Sequence, residues 1–263
     1  MMLSGCVMTK DSLETLPACL DSLEPFCDEV LVVDDHSSDG TWEYLQKRSG
    51  TGKVRPVQRA LDTFPSHRRW MCAQARGAWL LILDADEAAM PGFGEEVRRV
   101  IASSPRCDAF RVPMKNMLPA HWPSGGHFTT SQKRLLRAGR VRWEQSSWVH
   151  APVLHEGPTG RLEKGLVHHG FDSMTHLLKK QLSYAQSSAQ HWHAKGRQSG
   201  LTTTVLKSLA AFLKFYVVLG LCRFGMDGFM ASAALSFHEL AKFGLLWERS
   251  LGAPPSERRR VPA

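Results

Sequence analysis

Six cysteines, Cys6, Cys19, Cys27, Cys72, Cys107 and Cys222, are scattered through 263 residues without a single C-x-x-C pair. That excludes a zinc knuckle and a secreted disulfide framework, and leaves reduced thiols in the core or at the surface. No run of eighteen uncharged apolar residues occurs, and MMLSGCVMTK has no basic n-region leading into a long apolar stretch. A cytoplasmic chain without a spanning helix is therefore expected. Internal repeats and low-complexity tracts are missing as well. Acid is what the last part of the chain is short of. Residues 1–160 carry 19 Lys and Arg against 19 Asp and Glu, while residues 161–263 carry 14 against 6, so the whole net charge of +8 falls there. A cationic section implies an anionic partner: nucleic acid, an anionic membrane surface and a phosphorylated substrate all meet the need.

What is present is ordinary globular material, 43% hydrophobic and 22% charged, enough for one large α/β domain or two small ones. LSGCVM is a short apolar run, and DSLETLPACLDSL places Leu13, Leu16, Leu20 and Leu23 at helical spacing, with Pro17 tolerable only in the first turn. EVLVVDDHSSDG reads as a strand and turn, followed by a helix from about Thr41 to Arg48 stopped at Gly50. KVRPVQ is a third strand, PSHRRWMCAQARG a helix closed by Gly77, and AWLLILDAD a fourth strand. Strict alternation predicts βαβ units and a mostly parallel, Rossmann-like sheet. Further on, EEVRRVIASS predicts a helix and DAFRVPM a strand. HWPSGGHFTTSQ predicts a polar substrate loop, QKRLLRAGRVRW a hairpin turning at Ala138-Gly139, and LVHHG the end of a strand. From Asp172, a plausible N-cap, a long helix runs towards Lys195, and the apolar block after it is interrupted by Lys207, Lys214 and Arg223.

Such sheets bind ligands beyond the carboxyl ends of their strands, and Thr9, Asp34, Asp35, Asp84 and Asp86 all follow directly after strands. Asp84 and Asp86 flank one alanine. Two carboxylates that close repel unless a cation sits between them, and a hard divalent cation shared with phosphates fits. The plainer alternative is a solvated acidic turn ahead of the helix after Pro91. In VVDDHSSDGT an acid can accept from a base N–H or a ribose hydroxyl, while Asp39 reads as an N-cap.

Taken together, CVMTKDSLETLPACLDSL, EVLVVDDHSSDGT, FPSHRRWMCAQARGAW and LLILDADE resemble the nucleotide-sugar half of an inverting family 2 glycosyltransferase with the GT-A fold. KRLLR, HEG, LVHHGFDSMTHLLKKQLSYA and RFGMDGFMASAALSFHEL are similar to the lipopolysaccharide core glucosyltransferase branch. The resemblance implies a Rossmann-like sheet flanked by helices with a C-terminal helical extension. Residues 1–100 would be the nucleotide-sugar half, 101–171 the acceptor and catalytic half, and 172–263 a basic, membrane-associating region. It implies transfer of a glucose-like hexose from a UDP-hexose donor, with inversion, to a core-oligosaccharide or other lipid-linked acceptor. The enzyme would sit on the inner face of the cytoplasmic membrane, with an anionic membrane surface and no nucleic acid as partner.

Site roles follow from the same resemblance. Asp86 would hold Mg²⁺ or Mn²⁺, Asp84 the ribose or the metal, and Thr9 with Asp35, or Asp34, the nucleoside. Arg68 would lie near the base or diphosphate, or else be a solvated helix arginine. Inversion needs a base, and only Glu144, Glu156 and Glu163 lie between Asp108 and Asp172. Glu156, between an apolar run and a Gly-Pro turn, is the choice. His168 is a candidate nitrogen ligand for the metal, with His155 and His169 behind it. Lys133, Arg134, Arg137, Arg140 and Arg142 either meet acceptor phosphates or form a solvated hairpin. A polyprenyl-phosphate or cell-wall polymer transferase shares the N-terminal motifs. A receiver-like or catalytically silent binding module, with Asp84 as phospho-acceptor and Lys115 as switch lysine, is disfavoured by the βα unit that precedes VVDDH.

Overall fold

Strand and helix alternate from the start of the chain. The structure, a computed structural model, describes residues 1–50, 52–103, 105–143 and 153–251. β1 (Leu3–Thr9), α1 (Leu16–Leu23), β2 (Glu29–Asp34), α2 (Thr41–Ser49), β3 (Val54–Gln58), α3 (Phe64–Gln74) and β4 (Trp79–Asp84) follow one another as expected. Pro17 falls in the first turn of α1, where its missing N–H leaves no bond unmade. Thr63 caps α3 by accepting from the Ser66 N–H. That helix ends at Gln74 rather than at Gly77. Gly77 serves the sheet instead: its N–H donates to Ser4 Oγ at 2.9 Å, and a Cβ there would lie 2.6 Å from the Ser4 nitrogen.

The remaining elements are β5 (Glu87–Ala89), α4 (Phe93–Ala102), β6 (Ala109–Met117), β7 (His127–Arg137), β8 (Val141–Trp143), β9 (Val153–His155), β10 (Thr159–Arg161) and β11 (Leu166–His168). One sheet runs in the order β3-β2-β1-β4-β7-β6-β11-β5, with β10 also beside β6. β3, β2, β1 and β4 are mutually parallel, as are β6, β10 and β11, while β7 opposes β4 and β5 opposes β11. The expected mostly parallel, helix-flanked α/β sheet is thus the one observed.

Side chains alternate across the strands, and both faces are covered. Val7, Val30, Val32, Leu81 and Leu83 pack with Leu16, Leu20, Phe93 and Val97 on one face. Cys6, Leu31, Val33, Leu80 and Ile82 pack with Met71, Leu136 and Trp143 on the other. A strand buried on both faces needs a continuous apolar run, which is why VLVV and WLLIL carry no alternation of polarity.

Two expectations change. His127–Arg137 is one long strand, so the polar loop proposed over His121–Gln132 ends where β7 begins. The chain does turn at Ala138-Gly139, with Gly139 at φ 73°, but β8 pairs with β9 in a separate two-stranded ribbon rather than with β7.

The described residues divide into two compact units, one of 1–117, 129–143 and 153–170, the other of 118–128 and 171–251. The second unit holds α5 (Met174–Ala194), α6 (Leu201–Leu213), a π turn over Lys214–Val218, a 3-10 turn over Leu221–Phe224 and α7 (Gly225–Ser250). Ser173, not Asp172, caps α5 by accepting from the His176 N–H at 3.1 Å, and Asp172 reaches the His176 ring instead. Leu118, Phe128, Phe171, Leu177, Leu221, Ala231 and Ala234 form its main core, and Phe243 and Leu246 pack with Ala189 and Trp192 in a second cluster. Leu201–Val218 is an unbroken helical stretch of 18 residues with mean hydropathy 1.4 and nothing buried. By length and composition alone it could cross a membrane, although no such helix was expected from the sequence.

β11 is set against β6 through a close approach at Gly165, where a Cβ would lie 2.0 Å from the Pro113 carbonyl oxygen. Gly165→Ala is expected to destabilise the chain by about 1–3 kcal/mol through overpacking against backbone. The midpoint of urea unfolding checks this.

Candidate functional site

The chain reaches the rim of the sheet at the end of β4. Asp84 closes the strand, Ala85 and Asp86 make the turn, and Glu87 opens β5. Ala85 is buried, so the turn faces inward and the three acids separate into different surroundings. Pairing of β5 with β11 places Glu87 opposite His168, and pairing of β11 with β6 places His168 opposite Asn116. The His169 N–H donates to the Asp86 carbonyl at 3.0 Å, fixing the turn to β11.

Arg134 on β7 governs two of the acids. Its Nη2 donates to Asp84 Oδ2 at 3.0 Å and to Glu87 Oε1, and its side chain is only 5% exposed. Arg68 on α3 approaches Asp84 Oδ1 at 3.4 Å, so each oxygen of Asp84 faces a guanidinium. The Asp84 N–H donates to Glu87 Oε2 at 3.1 Å. Burial pushes Asp84 up, but the charges of Arg134 and Arg68 outweigh it and hold the carboxyl well below the usual carboxylate range. Glu87 goes the other way: desolvation lifts it to about 7 against the pull of the same guanidinium. Of two acids sharing one arginine, the one sealed from water takes the proton more readily.

Asp86 faces a different neighbour. Its Oδ2 lies 3.3 Å from His168 Nε2, while His168 Nδ1 lies 2.8 Å from Asn116 Oδ1. Asn116 in turn donates to Thr130 Oγ1 at 3.0 Å and to the Met114 carbonyl. An amide oxygen can only accept, so the asparagine places a ring proton on Nδ1; Nε2 then meets Asp86 directly as a donor when the ring is doubly protonated, and can offer its lone pair only where a cation lies between the two. Metal-ligating histidines are commonly oriented by a partner on the far nitrogen, so His168 could serve as one.

On the nucleoside side the expected residues differ in role. Thr9 is buried at the end of β1, and its hydroxyl has no hydrogen-bond partner among the described residues. Asp34 is buried and shapes the loop: it accepts from the Ser37 N–H at 3.1 Å, from Ser37 Oγ, and from Gln58 Nε2 at 3.1 Å. Asp35 accepts from the Leu61 N–H at 2.9 Å and has Lys10 3.8 Å away. Asp39 accepts from Thr41 and Leu13 beside the start of α2 and so belongs to the fold, although Gly40 is the N-cap itself.

Thr9, Asp34, Asp35, Arg68, Asp84, Asp86 and His168 therefore lie on or beside one rim. Glu156 does not join them. It follows β9, ahead of β10, and β10 pairs with the beginning of β6 whereas His168 pairs with its end. Gly157 lies against Asp108, at the same starting end, and Glu156 is 89% exposed with Arg142 at 3.4 Å. Strand direction, which HEGP cannot reveal, puts this glutamate at the other end of the sheet from the acids. Glu144 lies outside the described residues. Arg134, expected either against acceptor phosphates or on a solvated hairpin, is instead buried between Asp84 and Glu87. Arg137 likewise turns inward, with its guanidinium 4.9 Å over the Trp79 ring and 3.3 Å from Asp108.

Acids gathered at the strand ends of a mostly parallel sheet mark where α/β folds hold their ligands. Relatives make the class specific. LpsC of Rhizobium meliloti (strain 1021), a lipopolysaccharide core biosynthesis glycosyltransferase, is 26% identical over 246 residues that cover 91% of each chain. An uncharacterized glycosyltransferase of Rickettsia bellii (strain RML369-C) is 20% identical, with 97% of this chain and 90% of its own covered. Among solved structures, S. aureus TarS 1–349 aligns with a TM-score of 0.48 at 13% identity, covering 97% of this chain and 93% of its own. The protein is a glycosyltransferase. It belongs to glycosyl transferase family 2, whose sequence profile matches residues 4–152.

Arg134→Met is expected to destabilise the fold by about 3–5 kcal/mol, because it strands buried Glu87 without a counter-charge and leaves Asp84 only the more distant Arg68. The triple change Arg134→Met, Asp84→Asn, Glu87→Gln should recover a large part of that loss. Thermal and denaturant unfolding of the two variants side by side check this.

Proposed function

We propose that the protein transfers a glucose-like hexose from a UDP-hexose, with inversion, to a lipopolysaccharide core or other lipid-linked glycan at the inner face of the cytoplasmic membrane. The observation that carries the donor half is the convergence of Asp86 Oδ2 and His168 Nε2 at 3.3 Å on the rim, with Thr9 buried nearby on β1. The acceptor half rests on the likeness to LpsC over 91% of both chains.

An oxygen and an oriented imidazole nitrogen fit a divalent cation of the Mg²⁺ or Mn²⁺ type. Among the described residues no three His, Cys, Asp or Glu side chains converge, so donor phosphates and water would complete the shell. Asp86 and His168 would hold the cation, with Asp84 kept beside them by its arginines. When bound, the cation neutralises charge that builds on the departing diphosphate. The chain's own residues do the rest. Asn116 orients the His168 ring, Arg68 adds positive charge near the diphosphate, and Thr9 with Asp35 would hold the nucleoside through hydroxyl and carboxylate contacts. Asp34 supports them by holding the loop after β2.

UDP with Mn²⁺ is expected to stabilise the wild type by about 2.7 kcal/mol at a hundredfold excess over its Kd, and Asp86→Ala or His168→Ala to abolish the metal-dependent part. Thermal shift with and without chelator reads this without any turnover. Absence of a shift in the wild type overturns the donor assignment. Mass analysis of the product from nucleotide sugars and membrane glycolipid extracts identifies the transfer.

Glu156→Gln is expected to leave turnover within about threefold of wild type, since the residue sits in an exposed ion pair worth under ~1 kcal/mol at the far end of β6. A loss of several orders of magnitude, measured by initial rates, would return Glu156 to the role of base.

A further inference from the structure

We infer that the exposed face of α6 and the turn after it seat the second unit in the headgroup layer of an anionic bilayer, with the helix lying in the membrane plane. The inference deepens the lipid-linked acceptor reading by naming the surface that meets the lipid, and it rests on that reading only for its purpose.

α6 is unusual in its exposure. None of its residues is buried, and Leu201 is 82% and Val218 77% exposed at the two ends of the stretch. At 100° per residue, Val205, Leu206, Leu209 and Leu213 fall on one arc of α6, Val217 follows in the π turn, and all five are exposed, whereas Thr204, Ser208, Ala211, Phe212, Phe215 and Tyr216 are half-buried. Lys207 and Lys214, seven residues apart, run along one border of that arc. The opposite side is occupied within the unit. Phe212 and Tyr216 meet the Phe229 ring at 5.6 and 6.0 Å, and Phe215 meets Phe128 at 5.7 Å. Ring packing thus fixes which face of the helix is turned outward. Met226, at the start of α7, is also 73% exposed. Contiguous apolar surface of this kind marks a contact with a partner.

Charge identifies that partner. From Ser173 through Met226 the chain has seven Lys and Arg and no Asp or Glu. A second copy would bring the same lysine-bordered face against itself, like charge to like. Anionic headgroups complement it, and lysine stems can lie along the apolar layer while their ammonium groups reach the phosphates. Length argues for lying flat. Eighteen helical residues span about 27 Å, less than the roughly 30 Å hydrocarbon core, and both lysines would be carried deep into it by a crossing helix.

The test uses the full chain and vesicles of equal parts phosphatidylglycerol and phosphatidylethanolamine, against phosphatidylcholine alone. Sedimentation should show binding to the anionic vesicles, weakened by salt and released by alkaline carbonate. Lys207→Ala with Lys214→Ala should weaken it about thirtyfold, the effect of two surface charges. Leu209→Asp with Leu213→Asp should abolish it. A polarity-sensitive dye on Cys222, exposed in the turn after α6, should shift to the blue on binding once Cys72 and Cys107 are replaced by alanine. Equal binding to phosphatidylcholine, resistance to carbonate, or self-association lost in the leucine variants without vesicle binding would each overturn the inference. UDP–Mn²⁺ stabilisation retained in the variants shows that they fold. Vesicle binding by a wild type that ignores UDP–Mn²⁺ would sink the donor reading and leave this one standing.

Discussion

Arg134 reaches Asp84 and Glu87 with one nitrogen, from a strand that runs against β4. Three acids within four residues cannot share a rim unless their charges are divided among different partners. The guanidinium takes two of them, aided by Arg68, and buried Ala85 turns the third towards β11. Asp86 meets His168, its Oδ2 3.3 Å from the ring Nε2. The repulsion legible in D-A-D-E has two remedies here, a guanidinium for Asp84 and Glu87 and an imidazole for Asp86. The buried guanidinium thus ties the acidic turn to β7.

The first four strands were legible because their burial is local information. VLVV and WLLIL are apolar on both faces, and the helices between them carry their own spacing, cap and proline signals. What escaped the sequence is pairing. Nothing in DEAAM says that it will form a strand against LVH, or that LVH will lie along the end of β6. Arg134 was hidden for the same reason: KRLLR looks like a basic surface until β7 is known to lie between β4 and β6. Glu156 shows how strand direction, too, is hidden in a sequence. An apolar run followed by a turn looks identical at either end of a sheet, and only the register of β10 on the first residues of β6 tells them apart. His168 could be singled out because a histidine directly after a strand lies at a rim, but its link to Asn116 depends on register.

In the second unit, composition was more readable than arrangement. The apolar block with its interrupting lysines announces amphipathic helices, yet periodicity cannot say which face finds a partner within the fold. Aromatic side chains decide it: Phe212, Phe215 and Tyr216 turn one side of α6 inward and leave the leucines outside. The π turn over Lys214–Val218 ends this helix, and Gly220, with φ 74°, lets the chain reverse into the 3-10 turn ahead of α7.

The pairing of β5 with β11 also orders events in time. β5 is complete early in synthesis, but the strand that covers it is among the last pieces of the sheet to emerge, along with the histidine that faces Asp86. Until then Glu87–Ala89, which ends the sheet beyond β11, lacks the strand it pairs with. A nascent chain can accordingly fold its βαβ layers first and acquire a finished rim only when Leu166–His168 docks.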